Sequence, residues 1–168
     1  MNARVSIIMG STSDWTVMEK AAKFLNEMQI PFEINALSAH RTPDEVEKFA
    51  REAETRGVEV IIAGAGMAAH LPGVIAAMTS LPVIGVPVKS SFDGMDALLA
   101  IVQMPPGIPV ATVAVNGAQN AAILAMQMLA VGDEQLKEKM KDFKAGLKDK
   151  IVKANQTLAE KKFDYRVQ

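Results

Sequence analysis

The chain has no cysteine, one tryptophan and one tyrosine, and aromatic residues fill only 5% of its 168 positions. Without cysteine there can be no disulfide, no thiolate nucleophile and no thiolate metal site. That pattern fits a reducing compartment, and the cytoplasm is the expected location. An excess of positive charge is also missing. With a formal net charge of -1, the chain has no basic surplus to offset phosphates, so a nucleic-acid partner is not expected. Nowhere do about 18 apolar residues run without interruption, so no membrane span is expected. Met1-Asn2-Ala3-Arg4 leads straight into a short apolar strand, without the long apolar stretch of a secretory signal. Histidine is scarce too: only His40 and His70 are present.

Present instead is an ordinary globular composition, 49% hydrophobic and 22% charged, at a length that suits one domain with a sizeable core. Charge is unevenly spread. Between Val58 and Gly132 the only charged side chains are Glu59, Lys89, Asp93 and Asp96. So long an uncharged segment is more than a lone monomer's surface accommodates, which points to a homo-oligomer.

Apolar runs alternate with helical patterns. Strands are expected at residues 5–9, 32–38, 58–63, 82–86 and 108–115, with Phe32, Ile34 and Ala36 turned inward on the second. The first helix, residues 15–28, puts Val17, Met18, Ala21, Ala22, Leu25 and Met28 on one face. The second starts with Thr42 as cap, Pro43 in the first turn and Glu45 closing a capping box. It buries Val46, Phe49, Ala50 and Ala53 and ends at Gly57. A glycine- and alanine-rich turn follows the third strand, with a short helix from about Pro72. Further helices cover 93–103 and 118–130. Residues 133–162 form a C-terminal amphipathic helix whose stripe runs through Leu136, Met140, Phe143, Leu147, Ile151, Ala154 and Leu158. This alternation predicts a three-layer, flavodoxin-like parallel sheet with helices on both faces, as a single α/β domain over 1–168. In such a sheet every strand's C-terminal end lies on one edge, and ligands bind there.

Three post-strand loops are chemically dense. Gly10-Ser11-Thr12-Ser13-Asp14 combines close backbone approach, hydroxyl donors and a helix N-terminus, which suits a phosphate. Capping by Thr12 or Ser13 would account for one hydroxyl but not for three. Asp14 is a poor neighbour for phosphate and suits ribose-type hydroxyls. In Ser38-Ala39-His40-Arg41-Thr42-Pro43, Arg41 can hold a phosphate bidentately. His40 offers an imidazole, whose proton exchange ordinarily falls near neutral pH. The third loop, Ala63-Gly64-Ala65-Gly66-Met67-Ala68-Ala69-His70-Leu71-Pro72-Gly73, imitates a Gly-x-Gly-x-x-Ala dinucleotide fingerprint. It follows the wrong strand, lacks the acidic residue expected about 20 positions on, and is interrupted by Pro72. A small-residue pocket floor fits it better. For His70, structural positioning and substrate contact both stay open. A nicotinamide cofactor is therefore not expected; nor is a metal, since the histidines lack acidic partners in sequence, nor ATP, since the Gly-x-x-x-x-Gly-Lys-Ser/Thr loop is absent, and no Gly-x-Ser-x-Gly nucleophile elbow occurs.

These blocks, with Ile101-Val102-Gln103-Met104-Pro105 and Gly107-Ile108-Pro109-Val110-Ala111-Thr112, resemble the 5-(carboxyamino)imidazole ribonucleotide mutase family of purine biosynthesis. The likeness runs in the same order from Val5 to about Leu129. It implies an isomerase that moves a carboxylate from an exocyclic nitrogen to a ring carbon without ATP, metal or cofactor. It also implies a homo-octamer. It assigns His40 to proton transfer, Ser11, Ser13 and Arg41 to the phosphate and ribose end, and Asp14 to ribose hydroxyls; Ser38, Gly66, His70 and Leu71 complete the candidate contacts. Met67 departs from the family's usual small residue. The alternatives are a related carboxylase that takes free CO2 and a non-catalytic ribonucleotide-binding module.

Overall fold

In the computed structural model, residues 2–167 are described. Two compact units divide the chain between Leu129 and Ala130.

The first unit is built on a five-stranded parallel sheet in the order β2-β1-β3-β4-β5. The strands are β1 Val5–Met9, β2 Phe32–Ala36, β3 Val60–Gly66, β4 Val83–Val88 and β5 Ala111–Thr112. That order is the flavodoxin-like one expected. The three central strands are apolar almost throughout, Ser6 of β1 apart, because helices cover both faces; every residue of β1 and β4 is buried. The helices are α1 Trp15–Glu27, α2 Pro43–Glu52, α3 Leu71–Ala76, α4 Met95–Val102 and α5 Ala118–Leu129. Met18, Ala21 and Leu25 of α1 are buried, as are Val46, Phe49 and Ala50 of α2.

Four sequence expectations need correcting. The glycines after Ala63 do not form a turn: β3 continues through Gly66. Gly64 pairs with Met9 and Val86 in the sheet, and its lack of a side chain leaves room for Met18, whose sulfur would lie 2.4 Å from a Cβ there. At the sheet's edge, Phe32, Ile34 and Ala36 are not buried, and Ile34 is 45% exposed. Glu33 lies opposite the buried Ser6 and accepts its hydroxyl at 2.9 Å, while Arg56 donates to the same carboxylate at 3.0 Å. Ile34 pairs with the buried Ile7 and shares its face, but β2 is the edge strand and that face is left partly uncovered there. The last strand shortens to Ala111–Thr112, pairing only with Ile84 and Gly85. Finally, Thr42 makes no side-chain cap on α2. Its hydroxyl turns back on the preceding loop, accepting from the Ser38 amide at 2.9 Å and donating to the Ser38 carbonyl at 3.1 Å. Gly57 closes the short 3-10 turn after α2 in a left-handed conformation, φ 92°.

The second unit contains one long helix, α6 Glu134–Ala159. Asp133 caps it, accepting from the Gln135 and Leu136 amides at 3.1 Å each. Leu136 and Met140 of its apolar stripe are buried, whereas Leu147, Ile151 and Leu158 are exposed.

Candidate active site

Parallel strands deliver their following loops to one edge, and hydrogen bonds hold those loops level. The Gly10 amide donates to the Gly64 carbonyl at 3.3 Å, and the Leu37 amide to the Met9 carbonyl at 3.0 Å. The loops after β1, β2 and β3 therefore open together around a cleft of about 560 Å³. Ser11, Ser13, Asp14, Ser38, His40, Arg41, Gly66, His70 and Leu71 all line it. Every residue chosen from the sequence for the site is thus brought to one place.

The first loop turns into a 3-10 turn, Thr12–Asp14, that feeds α1. Neither Thr12 nor Ser13 caps it. Ser11 does, its hydroxyl accepting from the Ser13 amide at 3.3 Å. Asp14 follows. Burial raises its carboxyl above the usual value of 3.8, against the opposing pull of hydrogen bonds from Ser11 and Ser13 and of the Arg41 charge.

The second loop is ordered by Ser38. Its hydroxyl accepts from the amides of His40 at 3.3 Å and Arg41 at 3.2 Å, and from Arg41 Nε at 3.4 Å. Ser38 therefore positions Arg41 from both backbone and side chain. Arg41 Nη2 then reaches across to donate to the Gly10 carbonyl at 3.0 Å, tying the first two loops together. Hydroxyls and a guanidinium converge at this end of the cleft, which is suitable for a phosphate.

The third loop turns sharply on Met67, a non-glycine residue at φ 54°. The Ala69 amide donates to the Met67 carbonyl at 2.9 Å and the His70 amide to the Ala68 carbonyl at 2.8 Å. These tight turns swing His70 back over the cleft. His40 Nε2 and His70 Nδ1 come within 2.8 Å, with the rings nearly perpendicular at 76°. One nitrogen donates and the other accepts, so that contact holds a single shared proton. Both histidines are exposed in the single chain, and the cleft is open to solvent along them. No cluster of three or more metal-ligating side chains occurs among the described residues.

Sequence reasoning missed Ser90, which lines the same cleft from the loop after β4. The signal was there: Lys89-Ser90-Ser91 places hydroxyls just past a strand end, as Ser11 and Ser38 do.

A flavodoxin-like sheet with phosphate-type donors and an imidazole pair at its C-terminal edge defines a small-ligand-binding α/β enzyme fold. More narrowly, residues 4–150 match the family described as AIR carboxylase, and the chain belongs to that family. It is 57% identical over 146 residues to the N5-carboxyaminoimidazole ribonucleotide mutase of Pyrococcus abyssi, covering 86% of this chain and 84% of that protein. It is also 57% identical over 140 residues to the phosphoribosylaminoimidazole carboxylase of Candida glabrata, covering 83% of this chain but 25% of that longer protein. Among solved structures, Treponema denticola PurE matches with a TM-score of 0.84 at 31% identity, over 92% of this chain and 97% of that one.

Proposed function

We propose that the chain is an N5-carboxyaminoimidazole ribonucleotide mutase of purine biosynthesis, an isomerase that forms 4-carboxy-5-aminoimidazole ribonucleotide. Supporting it are the family match and relatives named for that activity. So does one structural observation: the predicted phosphate, ribose and proton-transfer residues share a single cleft.

In the proposed mechanism Ser11, Ser13 and Arg41 hold the phosphate and ribose end, and Asp14 accepts from ribose hydroxyls. Ser38 keeps Arg41 and His40 in place. The base then extends along the strand ends toward His40. As the carbamate bond between the exocyclic nitrogen and the carboxyl carbon breaks, the nitrogen takes a proton and CO2 leaves. CO2 next bonds to the ring carbon, and the proton on that carbon departs. His40 gives the first proton and accepts the second, so the reaction is balanced without an added acid, base or cofactor. His70, sharing one proton with His40 at 2.8 Å, orients the ring. Retaining CO2 beside the carbon makes its recapture nearly unimolecular, worth roughly 7–11 kcal/mol in well-oriented cases.

A single domain with an appended C-terminal helix, assembled as a homo-octamer in the cytoplasm, completes the proposal. Exposed apolar residues in the charge-poor segment support assembly: Met67, Phe92, Met95 and Leu99 are each at least half exposed. Light scattering would then report eight chains of 18.0 kDa.

The carboxylase named among the relatives is the second possibility. Turnover of the carbamate substrate without bicarbonate is the expected result. Turnover of aminoimidazole ribonucleotide that runs only with bicarbonate would replace the mutase with a carboxylase. His40→Asn should keep ligand binding and lose roughly 100-fold or more in turnover; normal turnover would remove His40 from the mechanism.

A further inference from the structure

Ser90 belongs to no loop that the proposed mechanism uses, yet it lines the cleft. Its hydroxyl is unengaged by any described protein group, unlike that of Ser38, which accepts from Arg41 and His40.

Its location is well defined. In the sheet order β2-β1-β3-β4, the phosphate-type donors lie after β1 and β2, and the histidine pair spans the loops after β2 and β3. Ser90 follows β4, two strands beyond β1, or roughly 10 Å along the edge at ordinary strand spacing. On the β3 side of the cleft the lining is Ala65, Gly66, Met67, Ala68 and Leu71, apolar apart from His70. Ser90 is therefore the hydroxyl at the end of the cleft opposite the phosphate donors. Gly66 leaves it open. Gly66 pairs with Val88 in the β3–β4 ladder, and a Cβ on Gly66 would lie 3.6 Å from the Ser90 Cβ.

The Ser90 loop is also built to hold its position. The Lys89 amide donates to Asn116 Oδ1 at 2.9 Å, and the Asn116 amide donates to the Pro87 carbonyl at 2.8 Å. Asn116 does this in a left-handed conformation, φ 59°. On the other side Lys89 pairs with Asp93 at 2.8 Å, and the chain turns through three successive left-handed residues, Phe92, Asp93 and Gly94. Such backbone settings cost energy and persist where the surroundings impose them.

We propose that Ser90 is a specificity residue whose hydroxyl donates to the migrating carboxylate of the ligand. The assignment rests on the ribonucleotide function proposed above. A ligand anchored by its phosphate at the β1–β2 end directs its base, and the carboxylate on it, past the histidines toward β4. A carboxylate there meets the free hydroxyl.

The test compares two ligands by calorimetric titration: aminoimidazole ribonucleotide, which lacks the carboxylate, and its 4-carboxy derivative. Ser90→Ala should bind the first as the wild type does and the second roughly tenfold more weakly or worse, the range for losing a hydrogen bond to a charged group. Ser90→Thr, which keeps the hydroxyl, should recover the difference. Melting should be unchanged in Ser90→Ala, since the residue is exposed. Equal weakening of both ligands, or of neither, would overturn the proposal. A wild-type protein that binds neither ligand would instead overturn the ribonucleotide function, and this proposal with it.

Discussion

Replacing Gly66 by alanine would put a new methyl carbon 3.0 Å from the Val88 carbonyl oxygen, 3.6 Å from the Ser90 Cβ and 3.7 Å from the Val88 Cβ. The closest of these is backbone in the β3–β4 ladder, opposite Gly66 itself. It cannot swing away as a side chain could. Overpacking of this kind costs about 1–3 kcal/mol. For a chain of this length each kcal/mol lowers the melting temperature by about 2–4 °C, so Gly66→Ala should melt roughly 2–12 °C below the wild type. Function should suffer more than folding, because the methyl group also enters the cleft between the His70 loop and Ser90. Thermal denaturation followed by circular dichroism gives the first quantity; titration with aminoimidazole ribonucleotide at a temperature where both proteins are folded gives the second. A variant that melts within about 1 °C of the wild type and binds the ligand equally well would refute both the tight β3–β4 approach and the location of the ligand.

Two further outcomes follow from Asp14 and Met67. Burial raises the Asp14 carboxyl above 3.8, so the folded chain keeps that proton to higher pH than the unfolded chain does. Ionised Asp14 therefore costs stability above its folded-state pKa and nothing below 3.8. Asp14→Asn should melt higher than the wild type at pH 7, with the gain shrinking on acidification and gone below about pH 3.8, while ribonucleotide binding weakens; a gain that grows toward acid pH would contradict this. Met67 occupies φ 54°, where a β-branched side chain is strained. Met67→Val should be less stable than the wild type in urea unfolding, and Met67→Gly, relieved of a left-handed cost of about 1–2 kcal/mol, should be at least as stable as the wild type.

Much of this arrangement was legible because it depends on local chemistry. The run Val5–Met9 is apolar at every position but Ser6, and the strand occupies those same bounds. The alternation of strands with amphipathic helices fixed a parallel sheet, and a parallel sheet fixes which loops meet. That is why Ser11, His40 and His70, far apart in sequence, could be placed in one cleft. The rest depends on which groups meet once the chain has folded. The inclusion of Gly64 in β3 follows from its pairing with Met9 of β1 and Val86 of β4, and a glycine suits it because Met18 of α1 fills its empty side-chain space. The exposure of Ile34 follows from β2 lying at the edge of the sheet, where the face it shares with the buried Ile7 is only partly covered. Thr42 looked like a helix cap because its neighbours fit a capping box, but the Ser38 backbone takes its hydroxyl instead. Ser90 carries a weak sequence signal because its loop holds no histidine, arginine or glycine pattern.

The most direct measurement is a crystal structure of the protein with aminoimidazole ribonucleotide bound. It should show the phosphate within about 3 Å of Ser11, Ser13 or Arg41, and the imidazole of His40 about 3–3.5 Å from the unsubstituted ring carbon. A nucleotide seated with its phosphate elsewhere, or with that carbon far from either histidine, would contradict the claim that these loops build one acid–base site.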